Sequence, residues 1–274
     1  FELEAGQRYA DTLMVTFDPQ IEAVFREQIT ITTDSGELII PIEARSIPRP
    51  WIFQDMAGIL TRENSPYVAT PIRVRENDTL IIEPGVEIQF LKDRGEFQCD
   101  GTLIARGTEQ DSIKFTSFEL ESQDRYWQGI ECTGSVFLDY VVVEAVDTSS
   151  CLKITPEQVE DSVIVTNSSF RDSRSTGLSI GHTGYVEAHH NVASNCDLGI
   201  GIWRITEQSY PNIHHLTSIH NQHGISITWD SMDVHLYPEN CISAFNEVGF
   251  SYLNSDDEKI IPYCGVFGNE HDGN

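Results

Sequence analysis

A glycine followed by an apolar–small–apolar triplet recurs four times in the second half of this chain. The copies are Gly177-Leu178-Ser179-Ile180, Gly199-Ile200-Gly201-Ile202, Gly224-Ile225-Ser226-Ile227 and Gly249-Phe250-Ser251-Tyr252, with glycine steps of 22, 25 and 25. Earlier, Thr79-Leu80-Ile81-Ile82 is answered 23 residues on by Thr102-Leu103-Ile104-Ala105. A period in the low twenties holds two or three short strands, too little to bury its own apolar face. Stacking successive coils buries it, with each strand about 4.8 Å above its counterpart. Leu178/Ile180, Ile200/Ile202 and Ile225/Ile227 are then inward ladders. Asn195, Asn221 and Asn246 stand three or four residues before their glycines. Asn and Gly are expected at the corners, where left-handed backbone favours them. Residues 72–254 hold roughly 7–8 such coils. No long amphipathic helical pattern interrupts them, so the expected class is all-β, a single-stranded solenoid.

Residues 1–47 read differently. Leu13–Phe17, Glu27–Thr32 and Leu38–Ile42 are rich in β-branched residues and are separated by Asp18-Pro19 and Asp34-Ser35-Gly36. Three or four strands are too few for a closed sandwich. The segment resembles the C-terminal half of the immunoglobulin-like modules that precede repeats in bacterial surface proteins. That resemblance implies a partial β-sandwich over 1–47 and a chain extending upstream. Ile47-Pro48-Arg49-Pro50 opens a stiff linker, 48–57, before a solenoid over 58–274. The terminal residues 263–274 read like the start of another coil.

Ser65-Pro66-Tyr67, Glu83-Pro84-Gly85 and Gly101-Thr102-Leu103 carry a second resemblance, continued by residues 126–146. They are similar to the opening coils of secreted bacterial proteins of the right-handed parallel β-helix (pectin lyase-like) superfamily, over residues 58–254. The resemblance implies a right-handed parallel β-helix in a secreted or cell-surface protein. For activity it implies little, because the scaffold carries lyases, hydrolases, adhesins and inert modules alike.

Lys plus Arg is 17 against 43 Asp plus Glu, a formal charge of −26. Such a surface repels phosphate backbones and anionic headgroups, which argues against nucleic-acid and membrane-surface partners. No run approaches eighteen apolar residues, so no membrane insertion is expected. The six cysteines show no C-x-x-C spacing and allow fifteen pairings, with buried free thiols as open a reading as disulfides.

Outward positions of a solenoid align across coils, so columns carry the candidate chemistry. His189-His190 and His214-His215 lie ten and nine residues before Gly199 and Gly224, and Glu239-Asn240 hold the same offsets before Gly249. Imidazoles stacked at about 5 Å beside a carboxylate are a candidate metal or proton-transfer column. Corner residues with no ligand are the competing reading. Trp203, Trp229 and His182 follow the glycines by four or five residues and are the candidate glycan-stacking platform. Asp172, Asp197 and Arg171 are the candidate catalytic set for a polysaccharide lyase or glycosidase, against a solvated-surface reading. Loop acids such as Glu119, Glu121, Asp124 and Asp256–Glu258 leave calcium as a candidate ion, without an EF-hand or nonapeptide spacing.

The recognisable lyase and polygalacturonase motifs are absent, and most connections in 177–254 are short. The expected function is therefore a non-catalytic secreted or cell-surface module, contacting an extracellular polysaccharide, a surface glycan or another surface protein. The alternative is an enzyme of the same fold.

Overall fold

The computed structural model describes residues 23–33, 36–46, 49–91, 95–118, 126–156, 158, 160–181, 185–205, 210–229, 238–253 and 263–273. The chain divides into two units, Phe1–Pro48 and Arg49–Asn274. In the first, Ala23–Thr33 and Gly36–Ser46 form an antiparallel hairpin in continuous register, Ala23 opposite Ser46 and Thr33 opposite Gly36. It contains two of the three strands expected there. The third, 13–17, lies outside the described residues, and the hairpin alone does not make the expected immunoglobulin-like sandwich.

The second unit is a parallel β-helix with three faces. Face one stacks Gly58–Leu60, Thr79–Ile82, Thr102–Arg106, Ser135–Asp139, Ser162–Thr166, Tyr185–His189 and Tyr210–His214. Face two includes Glu87–Phe90, Ile113–Ser117, Val141–Val146, Thr217–Ile219, Ile242–Ala244 and Gly265–Phe267. Face three includes Phe97–Cys99, Ile130–Cys132, Leu152–Ile154, His223–Trp229 and Val248–Leu253. Three long strands, Tyr67–Val74, Ser169–Gly181 and Val192–Ile205, bend from face two into face three. Among the described residues every strand pairing in this unit is parallel. The first rung starts earlier than the sequence suggests, since Trp51–Asp55, expected in the linker, pairs with Tyr67–Val74.

The ladders follow the alternation in the sequence. On face three, Phe97, Ile130, Leu152, Leu178, Ile200, Ile225 and Phe250 stand in register and are buried. On face two the column shrinks along the chain: Phe115, Val143, Phe170, Ala193, Ser218, Ser243. The serines would be costly alone, because a buried hydroxyl needs partners. Each donates to a carbonyl, Ser218 to Gly224 at 2.8 Å and Ser243 to Gly249 at 2.7 Å.

From Tyr140 onward two tight corners turn each coil, and both use left-handed backbone. Between faces one and two it is Tyr140, Asn167, His190, His215, Asn240 and Tyr263. Between faces two and three it is Ala145, Asp172, Asn195, His220, Phe245 and Gly268. Their φ values run from +49° to +68°. The repeated glycines are not among them, which corrects their expected role. An added Cβ at Gly224 would sit 2.1 Å from Ser243 Oγ and 2.3 Å from the Gly249 carbonyl, so glycine is there for close approach. Asn221 and Asn246 are likewise inside the corner and not at its left-handed residue. Asn246 Oδ1 accepts from the Asn221 backbone N–H at 2.9 Å, and Asn221 Oδ1 from that of Cys196 at 2.9 Å. Asn195 sits one residue out of this ladder, exposed and left-handed.

The connections from face three back to face one lengthen along the chain, from Gly181–Tyr185 to Trp229–Glu239. Most connections in 177–254 are short, as expected, and the one from Trp229 to Glu239 is the exception.

Candidate functional site

The corner between faces two and three carries a concavity. The residues before the inner ladder (Asp172, Asn195, His220, Phe245) and those after it (Arg174, Asp197, Gln222, Glu247) face outward, and with Tyr126 they line a cleft of about 610 Å³. Asp172 and Asp197, expected on adjacent coils, both face it. Its polar groups are tied to each other: Asn195 donates to Asp172 at 3.1 Å and Gln222 to Asp197 at 3.3 Å. The Arg174 guanidinium lies 4.0 Å over the Tyr126 ring and donates to Asp147 at 3.2 Å. His220 stacks on Phe245 with centroids 5.4 Å apart, and Phe245 is 53% exposed. The wall thus combines flat rings with amides and carboxylates.

Arg171 is not part of that lining. It points outward from face two, where its Nε and Nη2 donate to Glu144 Oε2 at 2.8 and 2.5 Å, and it stands 4.0 Å from Asp172. Lys114 Nζ holds the other Glu144 oxygen at 2.7 Å. Burial pushes the Glu144 carboxyl up, but Lys114 and Arg171 outweigh it and hold the group below its usual range. A carboxyl with a depressed folded-state pKa adds stability above its unfolded value, lost as pH falls through the folded one. Acidification from pH 6 to 3 is therefore expected to lower the urea midpoint of the parent more than that of Glu144→Gln. At pH 6 the substitution itself costs about 1 kcal/mol, since Lys114 and Arg171 are partly screened by solvent. Parallel pH profiles for the two chains would reject this account.

The corner between faces one and two carries the histidines, in the register their spacing suggests: Thr166, His189, His214 and Glu239 align, as do the corner residues Asn167, His190, His215 and Asn240. His189 stacks on His214 at 4.8 Å and 6°, and His190 on His215 at 4.8 Å and 16°. Within a coil the rings stand edge to face and bring their Nδ1 atoms together, 2.8 Å apart for His189/His190 and 2.6 Å for His214/His215. Glu187 Oε1 lies 3.0 Å from His189 Nε2, and the Tyr185 hydroxyl donates to Glu187 Oε2 at 2.9 Å. The Tyr185 bond, then His189, holds Glu187 below its usual carboxylate range. Partial desolvation and the neighbouring imidazoles push His190 and His214 down, favouring neutral rings near pH 7.

No family model, curated protein or solved structure matches the chain.

The Trp203 indole is half-buried, donates to Ser179 Oγ at 3.0 Å and lies over Gly201, whose added Cβ would meet it at 2.5 Å. Trp203 is in register with Gly181 and Trp229 with Ile205, so the two tryptophans are not ladder neighbours. The Trp229 side chain and His182 lie outside what is described, as do Glu119, Glu121, Asp124 and Asp256–Glu258 of the calcium reading. All six cysteines are free thiols. Cys99 and Cys132 are in-register neighbours, and burial raises the Cys241 thiol to about 12, far from a reactive thiolate.

The rings of the cleft were not picked out by sequence. His220 and Phe245 share only their offset, one residue before Asn221 and Asn246, with the corner column that holds Asp172 and Asn195. That offset is the signal that would have found them.

Proposed function

We propose that the chain is a secreted or cell-surface module of the right-handed, pectin lyase-like β-helix type, which contacts a neutral glycan through the cleft between faces two and three. The observation that carries this is the cleft wall, where the stacked His220 and Phe245 rings stand beside Asp172, Asn195, Asp197 and Gln222. Sugars stack their C–H faces on flat rings while their hydroxyls bond a polar rim. The acids of the wall and a net charge of −26 repel uronates, which selects neutral hexoses. The right-handed form rests on the handedness that parallel crossovers adopt. Phe245→Asn, chosen because asparagine tolerates the left-handed corner, is expected to weaken neutral-oligosaccharide binding about 10-fold by calorimetry, the scale of one lost ring contact. Equal affinity of variant and parent would remove the cleft as the site.

A second reading, a glycosidase, has one observation in its favour: Asp172 and Asp197 face the same cleft from successive coils. Paired carboxylates across a sugar are the working groups of such enzymes. Release of reducing ends from a neutral glycan by the parent, abolished in Asp172→Asn, would replace the binding reading with this one.

A further inference from the structure

The histidine corner plays no part in the cleft, and its geometry is specific. Among the described residues no three His, Cys, Asp or Glu side chains converge on a common point. The imidazoles converge in twos. The carboxylate of Glu187 can only accept, so the neutral His189 ring carries its proton on Nε2 and leaves Nδ1 with a free lone pair. A carboxylate behind a histidine is the arrangement that orients a metal-ligating imidazole and raises its basicity. In the metal-free chain that lone pair accepts from His190 Nδ1–H at 2.8 Å. Moving the His190 proton to its outer nitrogen frees both Nδ1 lone pairs, on atoms close enough for a rotation of the two rings to turn them onto one ion.

The spacing also selects the ion. Two nitrogens each about 2.0–2.1 Å from a metal, and separated by the observed 2.8 or 2.6 Å, subtend about 80–90°. A tetrahedral zinc site needs roughly 3.3 Å between ligand nitrogens at the same bond length. The edge of a square-planar or octahedral site is about 2.9 Å, the geometry of copper(II) and nickel(II) with nitrogen ligands. Among the described residues no third His, Cys, Asp or Glu joins either pair, so each pair makes its own chelate, completed by water. Only the first pair has the orienting carboxylate, because Asn212 stands in register with Glu187 on the next coil.

We propose that His189 and His190 chelate a divalent copper or nickel ion through their Nδ1 atoms, with Glu187 holding His189 in the ligating tautomer and His214/His215 forming a weaker second site.

The test is calorimetric titration with copper(II), nickel(II) and zinc(II) at pH 7.5, with electron paramagnetic resonance of the copper-loaded protein. The parent is expected to bind one copper ion tightly and a second more weakly. Affinity falls from copper to nickel and zinc, and the resonance shows coupling to imidazole nitrogen. His190→Asn removes the tight phase, and His190→Asn with His215→Asn removes both. Asparagine already occupies this left-handed corner at Asn167 and Asn240, with φ of +49° and +55°, so the substitution suits the backbone. Glu187→Ala leaves all four rings and weakens the tight phase about 10-fold or more, which carries the test if a histidine variant loses its β-sheet circular dichroism. Absence of copper binding by the parent, tight binding retained by the double variant, or a preference for zinc over copper would each overturn the proposal.

Discussion

Trp127→Ala is expected to lower the stability of the solenoid by about 3–5 kcal/mol, the cost of emptying a large aromatic site. Trp127 is fully buried, and its ring lies flat against Phe90 with centroids 4.0 Å and planes 2° apart. Its Nε1–H donates to the Glu144 carbonyl at 2.9 Å. Alanine leaves a cavity beside Phe90 and strands that carbonyl, and both effects have the same sign. The Tm should fall by about 10 °C in a chain of this size. Trp127→Phe keeps most of the stack and loses the indole bond, so it should cost about 1–2 kcal/mol. A loss under about 1 kcal/mol for the alanine variant would mean that the site collapses and that the ring is not a core anchor.

Asn246→Ala should be nearly as damaging, at about 2–4 kcal/mol, although it removes far less volume. The side chain is 3% exposed. Its Nδ2 donates to the Ser218 carbonyl and to Ser243 Oγ, both at 3.0 Å, while its Oδ1 accepts from the Asn221 backbone N–H at 2.9 Å and from Asn221 Nδ2 at 3.1 Å. Alanine takes this partner from the buried Asn221 backbone N–H and the Ser218 carbonyl, each at its own desolvation cost, and loosens the bonds at Ser243 and Asn221 Nδ2. The exposed Gln222, one position beyond Asn221, supplies the control, and Gln222→Ala should change stability by less than about 0.5 kcal/mol. Urea midpoints decide the matter: if the two variants unfold together, the inner ladder contributes nothing beyond its surroundings.

The two networks show where the sequence is legible and where it is not. Apolar alternation names the inward residues of face three directly, because Leu178/Ile180, Ile200/Ile202 and Ile225/Ile227 differ little in chemistry and recur at nearly constant steps. The histidine column was legible for the same reason, two identical pairs at one offset. Corner chemistry was not. The left-handed position is filled by Ala145, Asp172, Asn195, His220 and Phe245 in successive coils, and no composition rule joins five such residues. Glycine was misread because two demands select it, positive φ and absence of a side chain, and the sequence does not distinguish them. At Gly199 and Gly224 the second applies, set by serine and asparagine side chains a whole coil away. At Trp203 the spacing identifies a tryptophan near a strand end but not that Gly201 offers it a flat bed.

The inner ladder also has a direction. Cys196, Asn221 and Asn246 each give their backbone N–H to a side-chain oxygen of the following coil, on Asn221, Asn246 and Asn269. Ser168 does the same to Asn191 at the other corner. A nascent coil leaving the ribosome therefore waits with open donors until its successor, some 25 residues later, is made. At about 5–20 residues per second that is a delay of one to several seconds per rung. Each of these rungs is complete only once the coil after it is in place.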